Sequence, residues 1–335
     1  MRNFFLLLAI LLQFSCSGEA QTKINGVSFV ASREKVLQNH IDELLKIHAN
    51  SAAVMPFGFI REISHPEIIF DTERQWYGET REGAKQYIEL LQRNGISVMI
   101  KPQIWVSRGQ FTGTIEMESE ENWKQLEASY DKFILNYAEL AEETKVPILC
   151  IGTELEKFVE ARPDYWQLLI KKIRAIYKGK LTYAANWDEY KRTSFWKELD
   201  YIGIDAYFPL SESQTPTVEE LRLGWQPWKE KINEVAQLNG KPVLFTEFGY
   251  RSMDYTAKKP WLVDNNEDQV NMIAQVNAKK AIFDEFWKED WFAGGYVWKW
   301  FIQHDKSGGN LDNRFTPQNK PAQKVIQEHY KSFSN

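Results

Sequence analysis

The feature that most constrains this chain is an alternation of eight short apolar runs with longer stretches, most of which carry helical spacing. The runs fall at residues 27–31, 52–55, 97–100, 148–151, 181–185, 201–204, 242–246 and 293–297. Helices are expected at 34–47, 81–94, 122–143, 163–177, 218–238, 268–286 and 321–333, with a short piece at 192–199. In the 163–177 segment Trp166, Leu169, Ile170, Ile173, Ile176 and Tyr177 recur at i, i+3 and i+4 and form one buried stripe. Gly95 stands where the 81–94 helix should stop. The strands read as continuous apolar runs, which suits a parallel sheet buried on both faces. An open doubly wound sheet is the structural rival, but no glycine-rich phosphate loop follows the first strand. The expected fold is therefore a single α/β domain, a (β/α)8 TIM barrel over residues 21–335. Such a barrel commonly needs about 250 residues.

The first 20 residues stand apart. Arg2 supplies a positive start, and residues 4–12 form an apolar core too short to span a bilayer as a normal helix. The following Gln13-Phe14-Ser15-Cys16-Ser17-Gly18 resembles a bacterial lipoprotein signal with Cys16 as the lipidated residue, although Gln13 sits where an aliphatic side chain is usual. Export is expected, either as a lipoprotein anchored in the bacterial cell envelope or as a plainly secreted protein. The lipid anchor would be the only contact with a membrane. Cys150, the other cysteine, lies in an apolar run and reads as a small core residue, so no disulfide framework is expected.

Composition bears on partners. A formal net charge of −5 argues against nucleic acid, which usually needs a basic face. Thirteen tryptophans and 14% aromatic residues instead suit a carbohydrate partner, because aromatic faces stack on the apolar faces of sugar rings. Tryptophan is also a core residue, and Trp166, Trp225 and Trp228 fall on helical stripes where packing is the expected role. The five histidines show no metal-ligand spacing, so neither a metal nor another cofactor is expected.

In a barrel of this kind the chemistry gathers where strands end and loops begin. The fourth run is followed by Gly152-Thr153-Glu154, and the seventh leads into Thr246-Glu247-Phe248-Gly249-Tyr250. Two glutamates on different strand ends offer what glycosidic cleavage needs. One carboxylic acid protonates the leaving oxygen and one carboxylate engages the anomeric carbon. The other strand ends supply Lys101, Gln103, Trp105, Asn186, Trp187, Asp205, Tyr207, Trp298 and Trp300. A tyrosine at the mouth can donate a hydrogen bond to a carboxylate nucleophile, and a tryptophan after the last strand can form the floor under a sugar. Trp105, Trp187 and Trp300 suit packing as well as they suit the cleft.

These segments, with Ile151-Gly152-Thr153-Glu154-Leu155, Tyr201-Ile202-Gly203-Ile204-Asp205-Ala206-Tyr207 and Val297-Trp298 in order, resemble clan A glycoside hydrolases and most closely family 113, known for β-1,4-mannanases. The resemblance implies a retaining mechanism with Glu154 as acid/base and Glu247 as nucleophile. It also implies that Tyr207 contacts the nucleophile and that Trp298 stacks under the sugar. Two positions depart from the wider pattern. Thr153 replaces the asparagine usual in the clan, and Gln103 stands after Lys101-Pro102 where histidine is expected. Lys101, Gln103 and Asn186 are candidate contacts to the axial 2-hydroxyl, with Trp105 and Trp187 as further substrate contacts. The expected substrate is a β-linked mannan or mannooligosaccharide. The alternatives are another β-glycan and, in a different class, a surface lipoprotein that binds glycan without cutting it. Whether the loops 58–79, 108–121 and 253–267 leave the cleft open or closed at one end decides between endo and exo action.

Overall fold

The computed structural model describes residues 22–262 and 269–333; the leader, Cys16 and the expected helix start at Asp268 lie outside them. In chain order the elements are β1 (Ile24–Phe29), α1 (Gln38–Lys46), β2 (Ser51–Val54), β3 (Phe57–Ile60), β4 (Ile69–Phe70) and α2 (Arg81–Arg93). Next come β5 (Ser97–Ile100), β6 (Gln103–Val106), α3 (Glu120–Glu143), β7 (Ile148–Thr153), α4 (Glu156–Ala161), α5 (Pro163–Ile176) and β8 (Lys180–Asn186). The chain closes with β9 (Ile202–Asp205), α6 (Val218–Asn239), β10 (Val243–Phe248), α7 (Met272–Phe286), β11 (Phe292–Trp300) and α8 (Pro321–Ser332). Eight of the strands form one closed parallel barrel in the order β1-β2-β5-β7-β8-β9-β10-β11, as expected.

The helices form where the local chemistry allows them to start and stop. The Thr80 side chain accepts the Gly83 N–H, Ser119 that of Asn122, Thr217 that of Glu220 and Asn271 that of Ala274, each at the head of its helix. Gly95, at φ 74°, follows α2 in the left-handed conformation that a helix exit favours. The Asn271 cap explains why α7 begins at Met272 rather than near 268. The 192–199 segment forms only a 3-10 turn at Trp196–Glu198.

Two apolar cores follow from the alternation of side chains across the barrel wall. Ala53, Met99, Cys150, Ala184, Leu244, Ala293 and Tyr296 fill the inside. Their neighbours Val54, Val98, Ile100, Leu149, Ile151, Phe245 and Val297 pack outward among the helices. Gly26 is required by this filling, since a Cβ there would stand 2.4 Å from the Tyr296 ring. Trp166 and Trp225 are fully buried, and Trp228 packs against the same core.

Two features were not anticipated. A small sheet, β4-β3-β6, stands beside the barrel mouth and carries Gln103 and Trp105 on β6. A short helix, α4, follows Glu154 almost at once.

Candidate active site

Strict alternation would send one of two consecutive residues to the barrel interior and the other to the helices. Three barrel strands escape that rule at their C-terminal ends. Across β10 and β9, Phe245 pairs with Ile204 but Glu247 pairs with Asp205, so β10 holds one extra residue. Across β7 and β8, Cys150 pairs with Thr182 and Thr153 with Ala184, again one extra. Across β1 and β11, Val27 pairs with Val297 and Phe29 with Trp300, with the extra residue on β11. Such bulges re-aim side chains. The bulge in β10 lets the Thr246 hydroxyl bond Asp205 inside the barrel at 2.7 Å while the next residue, Glu247, also meets partners at the mouth.

Glu247 is nearly buried and collects donors from three other strand ends. Tyr207 Oη–H donates to Oε2 at 2.7 Å. Gln103 Nε2 donates to Oε1 at 2.9 Å, and Lys101 Nζ donates to the same oxygen. Lys101 also stands 3.1 Å from each oxygen of Asp205. Burial opposes the Lys101 ammonium, but the charges of Asp205 and Glu247 outweigh it and hold its pKa above the ordinary lysine value. Burial, followed by the charge of Glu247, pushes the Asp205 carboxyl up to about 7 against the pull of Lys101 and Thr246. Burial and then Glu247 keep the Tyr207 phenol well above its ordinary value, so it remains a donor.

Glu154 has the opposite environment. Its backbone adopts φ 49°, a left-handed conformation that costs a non-glycine residue energy, and its N–H bonds Ala184 O at 2.8 Å. Its carboxyl accepts no hydrogen bond among the described residues. Burial first, then the charges of Asp205 and Glu247, raise its pKa well above the usual carboxylate range, with Lys101 opposing.

Both glutamates line a cleft of about 800 Å3 together with Asn186, Trp187, Tyr207, Trp298 and Trp105. Trp105 is half exposed on β6. Trp187 stacks on Trp261 with ring centres 4.8 Å apart, and Trp261 also lines the cleft. The expectation for Lys101 needs correction. It has no solvent exposure, and its ammonium is engaged by two carboxylates, so it supports Glu247 from beneath and is out of reach of a sugar. Gln103 likewise directs its amide N–H to Glu247. Trp300 is a core residue stacked on His304.

Asp205, named in the sequence only as a strand-end residue, proves to be the partner of Lys101. Its signal was its place just before Ala206-Tyr207. Trp261, Phe111 and Phe315 also reach the cleft, but all three lie outside the barrel strands and helices, where no periodicity marks them.

A parallel barrel whose mouth presents two unlike carboxylates in an aromatic cleft has the equipment of a glycoside hydrolase. Sequence comparison narrows that class. The Glycoside Hydrolase Family 113 profile matches residues 31–320, and the chain belongs to this family. No curated protein matched it in sequence. Among solved structures it is similar to the GH113 β-mannanase AaManA from Alicyclobacillus acidocaldarius, with a TM-score of 0.80 at 22% identity over 93% of this chain and 98% of that one. A second GH113 β-1,4-mannanase, solved as a complex, gives 0.78 at 20% identity over 92% and 99%. The β-glucuronidase of Faecalibacterium prausnitzii gives 0.61 at 15% identity, over 93% of this chain but 49% of that protein. At these identities the likeness speaks for the barrel fold.

Proposed function

We propose that this glycoside hydrolase cleaves β-1,4-linked mannan or mannooligosaccharides with retention of configuration, Glu154 serving as acid/base and Glu247 as nucleophile. The observation that carries this reading is the asymmetry of the two carboxylates. Glu247 is tied by Lys101, Gln103 and Tyr207, which stabilise negative charge and fix its oxygens. Among the described residues Glu154 has no such donors, and its burial and negative neighbours favour the proton. In the first step Glu154 protonates the glycosidic oxygen while a Glu247 oxygen attacks the anomeric carbon. Forming the ester removes the Glu247 charge that helped to hold the proton on Glu154. The pKa of Glu154 then falls, and the same residue can take a proton from the attacking water. The mannan assignment is supported by family membership and by the mannanases named among the similar structures.

The test is hydrolysis of β-1,4-mannan and mannooligosaccharides beside matched β-1,4-glucans, with Glu154→Ala and Glu247→Ala as controls. Mannan cleavage lost in both variants is expected. Cleavage of glucan alone would discard the mannan assignment and keep the carboxylate pair. Glycan binding without hydrolysis by the parent protein would favour the binding-lipoprotein alternative.

We also propose that the protein is exported and anchored through a lipid on Cys16, on the strength of the residue pattern from Arg2 to Gly18. Metabolic labelling with a fatty acid should mark the parent protein and miss the Cys16→Ser variant. Label retained in that variant would reject the anchor.

A further inference from the structure

The hydrolytic reading leaves one buried carboxylate beside the site unused. Glu189 lies in the turn after β8 and is almost without solvent exposure. Tyr183 Oη–H donates to its Oε1 at 2.6 Å, and the Asn186 N–H donates to its Oε2 at 3.0 Å. The Tyr183 oxygen in turn accepts the Leu155 N–H at 2.7 Å. Leu155 is the residue after Glu154, so the chain of bonds ends on the left-handed turn that carries that carboxyl. The Tyr183 ring cannot swing away, because it is fully buried with Trp166 and Phe195 edge-on at 5.7 Å and 5.5 Å.

The direction of the bonds matters. A phenol has one hydrogen, and here Glu189 receives it, which turns the oxygen's lone pairs toward the Leu155 amide. The acceptors at both ends of Glu189 are also required. Glutamine could serve Tyr183 or Asn186, but in either orientation its NH2 would face a donor or reverse the phenol.

We propose that Glu189 is a positioning residue for Glu154, acting through Tyr183 and the Leu155 amide to hold the strained turn that aims the Glu154 carboxyl into the cleft. This rests on the reading of Glu154 as the acid/base. Burial pushes the Glu189 carboxyl up to about 7, against the bonds from Tyr183 and Asn186 and with the help of the Asp205 and Asp188 charges. When ionised, Glu189 adds its charge to those of Asp205 and Glu247 that face Glu154, with Lys101 opposing and the Tyr207 phenol also close by.

The experiment compares Tyr183→Phe and Glu189→Gln with the parent on two substrates, mannotetraose and 2,4-dinitrophenyl β-mannobioside. The dinitrophenolate needs no proton to leave, so its kcat/KM does not depend on how the acid is aimed. A loss of about tenfold on mannotetraose, against about twofold or less on the aryl substrate, is expected for both variants. The alkaline limb of the mannotetraose pH profile should also move to lower pH in Glu189→Gln. Equal losses on the two substrates, or an unimpaired Tyr183→Phe, would overturn the proposal. Should Glu189→Gln fail to fold, Tyr183→Phe decides alone, since it keeps the ring and removes only the hydroxyl. Glu154→Gln serves as the reference. If it loses both substrates equally, the acid/base reading itself has failed, and the two failures are told apart.

Discussion

The Lys101 ammonium stands 3.1 Å from both oxygens of Asp205 and also bonds Glu247, with no solvent exposure. One cation therefore serves two carboxylates inside the barrel. On the proposed mechanism Glu247 becomes an ester, and Lys101 then still has Asp205 as its partner. Lys101→Met would leave both buried carboxylates without their shared cation. The expected cost is about 3–5 kcal/mol of stability, read from urea denaturation, with kcat/KM falling about 100-fold or more.

The pH profile tests Glu154. On the proposed reading of Glu154 as the acid, its raised pKa means that the proton needed for leaving-group departure persists above the ordinary carboxylate range and is lost on the alkaline side of it. The kcat/KM profile should therefore fall as pH rises through that pKa, well above the ordinary carboxylate range. In Glu154→Gln, measured on an aryl glycoside, that limb should disappear.

Gln103 offers a chemical test of support for Glu247. Its bond to a carboxylate oxygen at 2.9 Å is charge-assisted and worth about 1.5–3 kcal/mol. Gln103→Leu should lower kcat/KM by roughly 10- to 100-fold. Gln103→His, which keeps a ring N–H donor, should recover most of the loss. Equal activity in the leucine variant would show that the bond is idle.

Lys279 gives a prediction about stability alone. It is buried on α7 over the Phe248 ring, and burial lowers its pKa to about 7. The unfolded chain holds that proton up to about 10.4, so between these values the folded state binds fewer protons and gains stability as pH rises. Lys279→Met should be more stable than the parent at pH 6, by about 1 kcal/mol or more, and the advantage should vanish toward pH 10.5. Melting temperatures at the two ends of that range check the sign.

Trp261 tests the outer cleft. Stacked on Trp187 at 4.8 Å and 40% exposed, it presents its free surface where a bound glycan would pass. Trp261→Ala should raise KM for long oligosaccharides roughly fivefold, about 1 kcal/mol, and leave short substrates less affected. A uniform effect on all lengths would place its role elsewhere.

Much of this was legible in the residues. Parallel strands buried on both faces leave continuous apolar runs, and all eight runs are barrel strands. Helix ends were readable where a cap or a stop marked them, as at Gly95, and slipped where the cap was unrecognised, as at Asn271. The glutamates stood out because each follows an apolar run, whereas β3 and β6 each come only two residues after a barrel strand and β4 has just two residues, so none shows as a separate run. Lys101 was misread for a different reason. A lysine after a strand looks like a hand reaching for substrate, and only three-dimensional pairing with Asp205 and Glu247 reveals that it faces inward.

The extra residue in β10 bears on how such a site could be moved or built anew. Copied onto an evenly pleated strand, Thr246-Glu247 would point one side chain at the mouth and the other at the surrounding helices. A transplant would then keep either the ligand of Asp205 or the carboxylate at the mouth. Deleting a residue from this stretch should silence the enzyme while sparing the lower barrel, and inserting one into a regular strand is the step by which a plain scaffold could acquire such a pair.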